Sequence, residues 1–77
     1  MIKVLLTYEK KKNFFVNGQE FCSQDNFTLL ELLYYFNYNL SLLILEYNNF
    51  ICDKQNWHKI SVKDQDKIEV VTIVGGG

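Results

Sequence analysis

Hydrophobic and polar residues change their spacing several times along this chain, and each change predicts an element. Residues 2–8 alternate loosely, with Ile2, Val4, Leu6 and Tyr8 set against Lys3, Leu5 and Thr7, as in a strand. Glu9-Lys10-Lys11-Lys12 interrupts that pattern and reads as a solvated turn. Phe14-Phe15-Val16 and Glu20-Phe21-Cys22 flank Asn17-Gly18, a pair that supplies the positive φ values of a two-residue type I′ turn, so a tight hairpin is predicted. After a polar link over residues 23–27, the spacing becomes helical. Thr28 and Glu31 form a capping-box pattern, and Leu29, Leu32, Leu33 and Phe36 fall on one face of a helix running from about Leu29 to Asn37. Tyr34 and Tyr35 lie towards its outer sides, and Asn37 and Asn39 are the expected left-handed terminators.

The second half returns to strand spacing. Leu42 to Tyr47 is apolar on both faces until Glu46, which predicts a strand interior to a sheet. Asn48-Asn49 is a second tight turn, and Phe50-Ile51-Cys52 a short returning strand. Asp53 to Lys59 reads as a loop or single helical turn around Trp57, with the indole expected as a core plug rather than a ligand contact. Lys63-Asp64-Gln65-Asp66 is a turn into a final β-branched run from Ile68. The predicted order is strand, strand, helix, strand, short strand, loop, strand. A helix across one face of a mixed sheet of four to five strands buries these apolar faces most economically. That arrangement is an α+β, β-grasp (ubiquitin-like) fold. Residues 13–77 are expected to form the domain, with residues 1–12 an N-terminal extension and possible extra strand.

Composition narrows the chemistry. At 77 residues there is room for one domain, and a chain of this size buries only about 60% of its unfolded surface. The net charge of -1, with no arginine, leaves no field for nucleic acid or an anionic membrane. Cys22 and Cys52 are too few for a disulfide framework and lack zinc-ligand spacing; they are expected as reduced, buried thiols. His58, the single histidine, is expected at the surface, and Glu46, Asp53, Asp64, Asp66 and Glu69 are expected as solvated carboxylates or contacts for a basic partner. No apolar run approaches the roughly 20 residues of a membrane helix. The first residues resemble neither a signal nor a transit peptide, so the chain is expected to act where it is made.

One stretch stands apart. Three of the four glycines, Gly75, Gly76 and Gly77, follow the last strand in a chain without alanine or proline. Extended from Val74, such a tail reaches roughly 13 Å, and the missing Cβ atoms let it thread a narrow channel. Its reactive group is the α-carboxylate of Gly77. A carboxylate is a poor electrophile, so ATP would have to convert it to an acyl adenylate before sulfur or an amine could displace AMP.

Phe15-Val16-Asn17-Gly18, Thr28 to Leu33, Leu45 to Ile51, Trp57 and above all Asp64 to Gly77 together resemble the ThiS family of thiamine-biosynthesis sulfur carriers. One departure is Gln65, where the family's acidic turn usually has glycine. The resemblance implies a carrier rather than an enzyme: Gly77 is adenylated by an E1-like (ThiF-like) adenylyltransferase, using that partner's ATP and Mg2+, then becomes a thiocarboxylate. A ThiG-like thiazole synthase receives the sulfur, which originates in a donor such as a cysteine desulfurase. Gly75 and Gly76 would be the tail, and Glu69, Val71, Ile73 and Val74 candidate partner contacts. No tightly bound cofactor or metal, nucleic acid or membrane is implied. The expected location is the cytoplasm, or the plastid stroma if the gene is organellar. The alternatives are a molybdopterin-synthase small subunit, whose corresponding segment usually carries prolines, a ubiquitin-like modifier, and a non-covalent β-grasp binding module.

Overall fold

The computed structural model describes residues 11–73. The possible extra strand at residues 2–8 and the tail at 74–77 lie outside that range. Five strands form one sheet in the order β2-β1-β5-β3-β4: β1 Lys12–Val16, β2 Gln19–Ser23, β3 Leu43–Tyr47, β4 Phe50–Cys52 and β5 Lys67–Thr72. All neighbours are antiparallel except β1 and β5, which run parallel in the centre. Among the described residues one α-helix, α1 (Leu29–Tyr35), covers one face of the sheet. The β-grasp architecture is therefore confirmed, with five strands.

Both hairpins follow from asparagine. Asn17 (φ 50°) and Gly18 (φ 82°) join β1 to β2, while Asn48 (φ 50°) and Asn49 (φ 77°) join β3 to β4. Positive φ at both central positions matches the right-handed twist of the strands, and asparagine tolerates that region better than most residues.

Seven residues are too few for a stable isolated helix, so α1 depends on its ends and its buried face. Glu31 N–H donates to Thr28 Oγ1 (3.2 Å) and Thr28 N–H to Glu31 Oε1 (2.9 Å), completing the expected capping box. The N–H groups of Leu29 and Leu30 donate to the carbonyls of Ile60 (2.9 Å) and Trp57 (3.1 Å), tying the helix start to the loop beyond β4. At the other end Asn37 turns left-handed (φ 58°), with bonds from Tyr38 N–H to Leu33 O and from Asn37 N–H to Tyr34 O. This is a Schellman closure, and it ends the helix short of Asn37. Asn39 is extended instead of left-handed; its side chain caps the 3-10 turn Leu40–Leu42 through Ser41 N–H.

Leu29 and Leu33 are fully buried, with Leu32, Phe14, Val16, Leu43, Leu45, Ile68 and Val70 around them. Fully burying each leucine contributes about 1.5–3 kcal/mol. Trp57 plugs this core as expected, 2% exposed, its indole N–H donating to the Cys52 carbonyl (2.9 Å).

Three further expectations change. β3 is interior in pairing, but only its Leu43-Leu45 side is buried; Ile44 faces outward on the uncovered side. Cys22 is exposed and Cys52 half-buried, because alternation on edge strand β2 turns Phe21 inward and Cys22 out. Asp66 is buried rather than solvated. Its carboxylate accepts from Tyr47 Oη (2.6 Å), Lys63 N–H (2.7 Å) and Asn48 Nδ2 (3.1 Å), which satisfies the charge and binds the turn before β5 to the β3–β4 hairpin.

Candidate functional site

The site begins with how β5 is delivered. Val16 is the last β1 residue, paired with Ile68, so Val70 lies beyond the end of its neighbour and its N–H needs another acceptor. Asn17 supplies it: Oδ1 accepts from Val70 N–H (2.7 Å), while the Asn17 N–H donates to Ile68 O (2.9 Å). On the other side Ile73 N–H donates to Leu42 O (2.7 Å), carrying the β3–β5 ladder past the last strand residue. β5 is thus held on the β1 flank as far as Val70 and on the β3 flank as far as Ile73.

Strand alternation then sorts the expected contact residues. Ile68 and Val70 face the helix, whereas Lys67, Glu69 and Val71 face the opposite, uncovered side. Ile73 continues the outward register and is 47% exposed; Val71 is 49% exposed. Val74, Gly75, Gly76 and Gly77 lie outside the described residues. Register brings in Ile44, which sequence reasoning did not place here, and Glu46, expected only as a solvated carboxylate or a contact for a basic partner. Ile44 lies directly opposite Val71, and Glu46 directly opposite Glu69. The bonds from Ile73 N–H to Leu42 O and from Asn48 N–H to Lys67 O mark both as hydrogen-bonded antiparallel pairs. Two carboxylates therefore face each other across adjacent strands, a destabilising arrangement. Ile51, opposite Glu46 on β4, extends the face. The period-two alternation of apolar residues on both sides of β3 was the available signal, and it marked an exposed patch rather than burial on both sides.

Within the described fold the reactive side chains are isolated: Cys22 is a free, exposed thiol on edge strand β2, away from this face. Burial, and then the neighbouring Asp53 charge, push the Cys52 thiol pKa up, so its thiolate is suppressed. Burial and the bond to Asp66 raise the Tyr47 phenol above its ordinary range, keeping it a neutral donor. His58 is exposed, and no group of three or more metal-ligating side chains occurs among the described residues. No helix among them is long and apolar enough to cross a membrane.

What remains is a strand aimed into a triglycine terminus beside an apolar and acidic face. The sequence pattern of the ThiS family matches residues 6–77. The chain belongs to the ThiS family. Among its relatives, the sulfur carrier protein ThiS of Bacillus subtilis (strain 168) is 33% identical over 63 residues, covering 80% of this chain and 96% of that one. An uncharacterized protein ycf40 from Trieres chinensis is 61% identical over 66 residues, covering 86% and 90%. Another ycf40 protein, from Porphyra purpurea, is 36% identical over 62 residues, covering 80% and 87%. The crystal structure of thiamine biosynthesis protein ThiS from Geobacter metallireducens superposes with a TM-score of 0.72 at 25% identity, covering 84% of this chain and 99% of that one. Family and fold agree with the expectation drawn from Asp64 to Gly77, and the chain is a ThiS-like sulfur carrier.

Proposed function

We propose that this carrier serves thiazole formation in thiamine biosynthesis, with Gly77 as the modified residue. A carboxylate oxygen of Gly77 attacks the α-phosphorus of ATP on a ThiF-like enzyme, and pyrophosphate leaves. The persulfide sulfur of a donor such as a cysteine desulfurase then attacks the acyl carbon and AMP departs; a thiol reductant cleaves the resulting acyl disulfide, leaving the thiocarboxylate on Gly77 and the oxidised thiols as a disulfide. A ThiG-like synthase takes the sulfur. In this reading Gly75 and Gly76 give the terminus access to both active sites, because a backbone without Cβ atoms fits a narrow channel. The protein is then a co-substrate, and ATP and Mg2+ belong to the partner.

The observation carrying this reading is that the family pattern runs through Gly77, so the triglycine end lies within the family's own sequence. The outward face of β3 and β5 supplies the handle. Ile44, Val71 and Ile73 offer apolar area next to Val74, and Glu46 with Glu69 favours a basic surface on the partner. Binding a cation between the two carboxylates would relieve their repulsion. Residence in a plastid stroma is supported by the ycf40 relatives, which are plastid-encoded.

The test is incubation with a ThiF-like enzyme, Mg-ATP and a sulfur donor, followed by intact-mass analysis. The expected product is heavier by the difference between sulfur and oxygen, and removal of Gly76 and Gly77 abolishes the shift. Rescue of molybdenum-cofactor defects but not of thiazole auxotrophy would refute the thiamine assignment. Amide conjugates to lysine in place of a thiocarboxylate would identify a protein modifier.

A further inference from the structure

A cleft of about 680 Å3 lies on the far side of β1 from β5, between edge strand β2, the loop after it and α1. Phe14, Phe21, Phe27, Leu32 and Phe36 form its floor, and the carboxylate residues Asp25 and Glu31 stand on its rim. The rings make a continuous wall: Phe14 packs with Phe21 (5.9 Å between centroids) and with Phe27 (5.4 Å), and Phe21 with Phe36 (5.2 Å). Among the described residues no lysine lines the cleft. Lys12 places its Nζ over the Phe27 ring at 5.2 Å and donates to the Asp25 carbonyl, and among the described residues no hydrogen bond engages the Asp25 carboxylate. The chain's own ammonium thus already uses one end of this wall.

Among the described strands, β2 beside the cleft is an edge strand of defined register. A two-residue turn makes Val16 and Gln19 a hydrogen-bonded pair, and hence also Phe14 with Phe21 and Lys12 with Ser23. The bonds from Phe15 and Asn17 to β5 carbonyls confirm the alternation on β1. Glu20 and Cys22 therefore direct their N–H and C=O groups away from the sheet. A strand added there would point alternate side chains to the Phe21–Ser23 side, over the cleft.

We infer that the β2 edge and the aromatic cleft form a second docking site, taking an extended peptide segment that carries lysine or arginine at alternate positions. Its backbone pairs with Glu20 and Cys22. Its basic side chains lay their aliphatic stems on the phenylalanine floor and bring their charge to Asp25 and Glu31. β1 separates this site from β5, so a partner can hold the carrier here while the Gly77 end is engaged elsewhere.

The probe is a short capped peptide alternating lysine and valine, titrated into the isotopically labelled full chain and followed by amide chemical shifts. Saturable shifts confined to Glu20–Asn26 and the outer side of α1 are expected. Cys22→Pro removes an N–H that faces away from the sheet, a position where proline is tolerated; the fold is kept and affinity falls about tenfold. Asp25→Asn weakens binding roughly threefold or more. Equal binding of the same peptide with glutamate replacing lysine, shifts centred on Ile44 and Val71, or no saturable shift at about 1 mM peptide would each overturn the inference. So would concentration-dependent shifts of the β2 amides without peptide, which would give the edge to a second copy of the chain.

Discussion

Asp66 provides the sharpest test of how β5 is held. Asp66→Ala removes an acceptor of three hydrogen bonds and leaves the Tyr47 hydroxyl and the Lys63 N–H without it. A bond to a charged acceptor contributes about 1.5–3 kcal/mol, but the three share one carboxylate and do not add. Tyr47 is half-buried and regains some water. A loss of about 3 kcal/mol follows, and with a urea m value near 1 kcal/mol/M for so small a domain the midpoint falls by about 3 M. Tyr47→Phe removes one of the three and should cost about 1–2 kcal/mol.

The same pair makes a pH-dependent prediction. The folded phenol is raised above the ordinary value of 10.0, first by burial and then by Asp66. Its contribution is fully present below the unfolded pKa and is lost as pH rises, because the unfolded tyrosine releases its proton first. Stability should fall above about pH 10, with a slope from this group of at most about 1.4 kcal/mol per pH unit. Urea denaturation at about pH 7 and about pH 11 measures both effects in wild type and Tyr47→Phe. A Tyr47→Phe variant that kept the wild-type alkaline slope, or an Asp66→Ala variant within about 0.5 kcal/mol of wild type, would refute the account of this network.

Gln65 is left-handed (φ 70°) in the turn before β5. Gln65→Gly removes that penalty, partly offset by the entropy of the unfolded glycine, and should raise stability by about 0.5 kcal/mol in thermal denaturation. Asn17→Gly keeps the positive φ but deletes the acceptor of Val70 N–H; about 1 kcal/mol should be lost, with faster hydrogen exchange at Val70. Glu69→Lys converts a like-charge cross-strand pair into an attractive one, so stability should rise by about 0.5 kcal/mol while thiocarboxylate formation on the activating enzyme slows. Val71→Asp should slow the same step with stability changed by no more than about 0.5 kcal/mol, measured by intact mass over time.

Local chemistry carried most of the fold into the sequence. Asn17-Gly18, Asn48-Asn49 and the Thr28–Glu31 box each act within a few residues, and their turns and cap form as their side chains dictate. The failures are non-local. Nothing near Asp66 in sequence announces that Tyr47 and Asn48 will meet it, so a carboxylate in a polar turn reads as solvated. Asn39 met a competing use, capping the next turn, which left Asn37 alone to terminate the helix. Cys22 was misread because thiols favour interiors in general, whereas alternation on an edge strand decides the individual case.

The outward face of β3 and β5 shows why register matters more than residue type for a carrier. Glu69, Val71 and Ile73 could be chosen from the sequence because they sit next to the terminus. Ile44 could not, and Glu46 was only one of five candidate carboxylates, since both join the face only when β3 pairs with β5 in one register. A slip of one residue would bring Leu43 and Leu45 outward and bury Ile44 and Glu46 against α1. That register is fixed at both ends, by Asn48 N–H to Lys67 O at the turn and Ile73 N–H to Leu42 O at the exit. The two bonds thus set where the last strand stops and which side chains accompany it. A fold that keeps two glutamates opposed on that face gives up some stability there. In the complex proposed above, a basic partner surface would remove that repulsion, so the opposed glutamates favour binding of a cationic face over the isolated carrier.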